Sequence, residues 1–189
     1  MKSIKIIMAS LCVVMLFFIS EVLYVANHPD IFNDYILKTA RGLSSLSKTD
    51  IAFYVLTKGK IQLPSDPNYK VLVSSYLKES SQKYDLPRIY YDLALASYTN
   101  NEKSLTPELL GLSIDIDPDF SFWRVELANY YLSIGQPKVG RKVLDDCMTK
   151  EYPKKHCEDY LNNSFNNNQI NNVGFLEDSV KKFYELRSN

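Results

Sequence analysis

Between Pro87 and Lys154 the chain repeats itself, as two copies of one unit offset by 34 positions. Under that shift Leu93 falls on Leu127, Ala94 on Ala128, Leu110 on Leu144 and Ser113 on Cys147. Ile89 falls on Trp123, Leu86 on Phe120, Tyr98 on Leu132, Leu109 on Val143 and Thr106 on Gly140, while the turn residue Asn101 becomes Gly135. Large positions stay large and small positions stay small. A fixed period of this length implies stacked helix pairs, because one pair alone cannot bury its apolar face.

Proline punctuates the same pattern. Pro29, Pro67, Pro87, Pro107, Pro118, Pro137 and Pro153 each suit a helix start, where the missing N–H has no intrahelical acceptor to lose. Asp66, Thr106 and Asp117 precede prolines and read as N-caps, and Gly135 reads as the residue that closes the preceding helix. The helices expected are roughly 30–46, 49–61, 67–84, 87–99, 106–115, 118–133, 137–149, 154–161 and 173–187. Apolar spacing within them is helical, as in Leu72, Val73, Tyr76 and Leu77, or Leu127, Tyr131 and Ile134. No stretch reads as a strand, so the class is all-α.

In each copy the first helix carries a large residue followed by a small one, Leu93-Ala94 and Leu127-Ala128. The second helix carries Thr106, Leu110 and Ser113, then Gly140, Leu144 and Cys147, with Pro118 after the first unit. This resembles the tetratricopeptide repeat, whose small residues let two helices approach and whose large ones fill the gap between units. Trp123 and Tyr131 fit its bulky positions, although Trp123 stands one place early and Pro153 one place late. A less complete copy over residues 33–66 keeps the relative spacing of Ala40, Ala52, Leu56, Gly59 and Pro64, and is followed by room for an extra helix. The resemblance covers residues 33–66 and 87–154; an unrelated helical bundle is the alternative.

The resemblance implies a right-handed superhelix of α-hairpins that binds a peptide or helix on the face lined by first helices. Here that face would be Arg88, Tyr91, Leu95 and Tyr98, then Phe122, Val125, Asn129 and Leu132. Asn129 stands where the family often uses Asn to hold a ligand's backbone. The paired lysines of the carboxylate-clamp subclass are replaced by Tyr91 and Val125, which argues against a receptor for chaperone tails. Ordinary helix packing is the competing role for each of these side chains.

Lys2 and Lys5 precede an uncharged run from Ile6 to Ile19, and apolar character resumes from Val22 to Val25. Residues 4–26 have about the 20-residue length a membrane-spanning helix needs. Cleavage after Ala26 or Ser20 would put Tyr24 or Phe18 at a position that wants a small residue. A retained signal-anchor over residues 1–27 is therefore the first reading, and a cleaved signal with a secreted product the second. The leading lysines place the amino end in the cytoplasm and residues 28–189, the repeat domain, outside.

Cys12 lies in the apolar run, which leaves Cys147 and Cys157 as the pair outside it, joined across a turn at Tyr152-Pro153. A disulfide suits an oxidising compartment. His156 with Cys157, Asp145, Asp146 and Glu158 is the competing metal reading, with too few paired ligands to be preferred. Both histidines read as solvent-facing. The Asn-rich segment 162–172 reads as a loop, and 173–187 as an amphipathic helix capping the last repeat.

Lys plus Arg equals Asp plus Glu at 22 each, which leaves no basic excess for nucleic acid. No catalytic triad, phosphate loop or metal spacing is present. The expectation is a non-enzymatic, membrane-anchored module that recruits or scaffolds an envelope protein, without cofactor or small-molecule substrate. A structural accessory subunit of a larger membrane assembly is the alternative.

Overall fold

Three turns of the chain share one backbone solution: Ser47, Asn101 and Gly135 sit in the left-handed region, at φ 60°, 62° and 75°. Each separates two antiparallel helices. In the computed structural model, residues 15–16, 19–25, 27–79, 86–149, 154–169 and 173–181 are described. The hairpins are α1 (Pro29–Ser45) with α2 (Thr49–Leu56), α4 (Leu86–Thr99) with α5 (Leu105–Ile116), and α6 (Ser121–Ser133) with α7 (Pro137–Met148). Helix α3 (Pro67–Glu79) intervenes between the first and second hairpins, and α8 (Lys154–Tyr160) follows the third, running into a π-helical turn, Leu161–Phe165. Among the described residues no strand forms.

Local chemistry accounts for the helix ends. After α6, Gly135 N–H donates to Leu132 O at 3.0 Å and Gln136 N–H to Tyr131 O at 2.7 Å, the paired bonds that satisfy the last carbonyls of a helix closed by a left-handed residue. The α1 exit repeats this, with Ser47 N–H on Ser44 O at 3.0 Å and Lys48 N–H on Leu43 O at 3.0 Å. Asp66 caps α3 as expected, its Oδ1 accepting from Asn68 N–H at 2.8 Å. The other two expected caps are corrected. Helix α5 begins at Leu105, so Thr106 is already inside it; α6 begins at Ser121, and Asp117 and Pro118 belong to the preceding turn. Helix α2 ends at Leu56 rather than 61, because Lys58 turns left-handed at φ 55°.

The hairpins close on small residues. Thr106 Oγ1 donates to Ala94 O at 3.4 Å. At the matching place in the next hairpin, a Cβ on Gly140 would stand 2.8 Å from Ala128 O. Ala40 and Ala52 are fully buried at the first hairpin. Between these contacts runs one continuous core that includes Leu56, Tyr90, Leu93, Leu110, Trp123 and Leu144, none of them accessible to solvent. Burying such side chains contributes about 1.5–3 kcal/mol each before conformational entropy is subtracted. Tyrosine hydroxyls link units: Tyr90 Oη donates to Leu56 O at 2.5 Å, and Tyr69 Oη meets Ser97 Oγ at 2.7 Å.

Among the described residues no helix is long and apolar enough to cross a membrane. Most of the expected anchor 1–27, Cys12, the turn at Tyr152-Pro153 and residues 182–187 of the expected last helix lie outside the described residues. Exposed apolar side chains do gather at the described part of that end: Ile19, Val22, Leu23 and Tyr24, then Ile31, Phe32 and Tyr35 on α1.

Candidate functional site

The first helices of the second and third hairpins, α4 and α6, lie side by side. Tyr91 packs on Trp123 at 5.1 Å between ring centroids, and Tyr98 meets Tyr130 edge-on at 6.3 Å. Of the eight residues expected on this face, Tyr91, Val125 and Asn129 are fully buried, Arg88 and Leu132 nearly so, and Leu95, Tyr98 and Phe122 half-buried. What covers part of the face is the chain itself. Helix α8 and residues 173–181 lie against it.

Glu126, which the sequence reading passed over, is the polar centre. Its side chain has no solvent exposure. Oε2 accepts from Gly174 N–H at 3.1 Å, and Oε1 from Leu176 N–H at 3.0 Å and Tyr91 Oη at 3.4 Å. The Asn129 side chain also hydrogen-bonds to it, and Asn129 Oδ1 accepts from Tyr160 Oη on α8 at 3.2 Å. Burial pushes the Glu126 carboxyl above its ordinary range, and these hydrogen bonds oppose that push. Residues 173–176 form the turn that leads into a helical stretch over 177–181. Free N–H groups at a helix start are natural partners for a carboxylate.

The same shift of 34 that pairs the two units places Asp92 on Glu126. The two carboxylates have different partners. Asp92 is met by Arg88 of its own helix, Nε to Oδ1 at 3.0 Å, and the guanidinium lies 5.2 Å from the Tyr91 ring centre. Burial still raises the Asp92 carboxyl to about 6; Arg88 opposes this, and Glu177 adds to it. Glu126 instead takes main-chain N–H groups from 48 and 50 residues away. An acidic residue at one register position in both first helices, flanked by buried neighbours, was the available sequence signal.

Around this centre the fit is apolar. Phe175 stacks on Tyr160 at 5.6 Å, and Val180 is fully buried. Gly174 has φ 96°, which strains any other residue, and a Cβ there would come 3.0 Å from Leu95 Cδ2 and press that side chain aside. The expected cap of the last repeat therefore sits on the α4–α6 face, and α8 follows the third hairpin in its place. His156, expected to face solvent, is half-buried on α8, 4.3 Å from the Phe122 ring, with Nδ1 at 2.8 Å from Ser121 Oγ. Burial lowers its pKa.

Cys147 of α7 and Cys157 of α8 are paired as a disulfide with Cα atoms 6.2 Å apart. Among the described residues no three His, Cys, Asp or Glu side chains are grouped to hold a metal ion. Comparison with protein-family models, curated proteins and solved structures finds no match.

Proposed function

We propose that this chain is a membrane-anchored interaction module of tetratricopeptide type, which holds a segment of another envelope protein on the α4–α6 face. The observation that carries the reading is the bond pattern of Glu126. A buried carboxylate on a first helix takes two main-chain N–H groups from a distant segment, and such bonds recognise a backbone whatever its side chains. A carboxylate buried only for packing would cost stability that an apolar residue of similar size avoids. The exposed apolar end from Ile19 to Tyr35 supports the membrane part of the reading, since a soluble monomer seldom leaves such a patch open.

Two measurements test it. A reporter fused after Arg41 should be active only outside the cytoplasm, with the amino terminus retained; a soluble product beginning near Asn27 would overturn the anchor. A photo-crosslinking residue at Tyr98, half-buried at the far end of the same face, should give a reproducible adduct with one envelope protein in native membranes. The absence of any intermolecular adduct from Tyr98 or Phe122 would overturn the module.

A further inference from the structure

We propose that residues 173–181 are an internal ligand of the α4–α6 face, and that a partner engages this protein by presenting a segment of the same design: a glycine turn, an aromatic residue and a leucine entering a helix. The inference deepens the reading above and rests on it. Two observations carry it.

The first is how Glu126 is satisfied. Of its hydrogen-bond donors, Tyr91 and Asn129 belong to the face itself, whereas Gly174 N–H and Leu176 N–H belong to the segment that seats there. A buried carboxylate with half its donors removed is strongly disfavoured, so the face is built to be occupied. The donors it uses are main-chain groups, and another segment can supply them.

The second is shape. Gly174 lies against Leu95, Phe175 on Tyr160, and Leu176 and Val180 are buried one helical turn apart. A replacing segment must be small at the first of these places and apolar at the next three.

The test uses the full chain and a fluorescein-labelled synthetic peptide of residues 173–181. Gly174→Ala in the protein should dislodge the internal segment and leave the face intact. By fluorescence anisotropy, the peptide should bind that variant at least tenfold more tightly than the wild-type chain. A peptide carrying Gly174→Ala should not bind. Equal binding to the two chains would overturn the proposal. If Gly174→Ala fails to fold, the wild-type chain still decides: excess peptide should speed hydrogen exchange at the Gly174 and Leu176 amides at least tenfold. Unchanged exchange, or a dimer in which the segment crosslinks to a second copy in the absence of peptide, would overturn seating within one chain. Peptide binding without a crosslinked envelope partner removes the module reading and the partner half of the inference but keeps residues 173–181 as an internal ligand; a crosslinked partner without peptide binding keeps the module and removes the inference.

Discussion

A Cβ built on Gly140 would stand 2.8 Å from the carbonyl oxygen of Ala128 and 3.0 Å from the Phe165 ring. The third hairpin therefore closes at a distance only glycine permits. Helical glycines elsewhere have no such neighbour: nothing lies within 4 Å of a Cβ at Gly42 or Gly111. One substitution, made at three places, should act with opposite signs. Gly140→Ala should destabilise by about 1–3 kcal/mol, because a backbone oxygen and a packed ring must both move. Gly42→Ala and Gly111→Ala should each stabilise by about 0.5–1 kcal/mol through the lost freedom of the unfolded chain. Urea unfolding of the three variants decides it; a neutral Gly140→Ala would remove the close contact.

Ala128, the other side of that contact, is fully buried. Enlarging it to leucine pushes α6 away from α7 and disturbs Trp123, also fully buried and in ring contact with Tyr91 at 5.1 Å. Ala128→Leu should cost about 1–3 kcal/mol and shift Trp123 emission to the red as water enters. Unchanged thermal stability would show that the hairpin phase is wrong.

Asp92 makes stability depend on pH in an unusual direction. Its carboxyl titrates near 3.8 when unfolded and at about 6 when folded, with burial the largest cause. Between those values the folded state holds more of the proton, so stability falls as pH rises through the window and is fullest below it. A two-unit shift corresponds to about 3 kcal/mol at most, and the Arg88 contact must be kept in any comparison. Asp92→Asn retains an acceptor for Arg88 but cannot ionise. Relative to that variant, the wild-type chain should lose about 1–3 kcal/mol between about pH 4 and about pH 7. Parallel unfolding profiles for the two proteins would refute the assignment.

What could be read from sequence was whatever repeats locally. The 34-residue shift found the turn pair Asn101 and Gly135, both left-handed, and the small pairs Ala94 with Thr106 and Ala128 with Gly140. The third left-handed turn, Ser47, falls on Asn101 at the spacing that aligns Ala40 with Ala94, but serine, unlike Asn or Gly, carries no preference for that backbone region. Glu126 was missed for a different reason: on a helix wheel a carboxylate reads as solvated, and the segment that buries it lies 48 to 50 residues away. The Asn-rich stretch hid a π-helical turn, because its two buried residues, Leu161 and Phe165, are outnumbered by polar ones. Thr106 and Asp117 were sound N-caps by composition, but packing set where α5 and α6 begin.

The pairing of Cys147 with Cys157 joins two elements whose relative position matters to the face beside them. Helix α8 brings His156 against Phe122 and Tyr160 against Asn129, and the bond fixes its start to the end of α7. The cysteines are 10 residues apart in sequence, both are fully buried, and their Cα atoms stand 6.2 Å apart. A loop this short removes less chain entropy than a long one, so the expected contribution is about 2–3 kcal/mol. Reduction should lower the urea midpoint accordingly, and it should proceed slowly in the native state because neither sulfur is accessible. Thiol alkylation in denaturant should label neither cysteine before reduction and both after it, and a non-reduced digest should contain them in one linked peptide. Two alkylatable thiols in unreduced protein from an oxidising compartment would show that the bond does not form. Should the bond form yet its reduction leave the midpoint unmoved, the aromatic contacts and the hydrogen bonds of His156 and Tyr160 would suffice to hold α8.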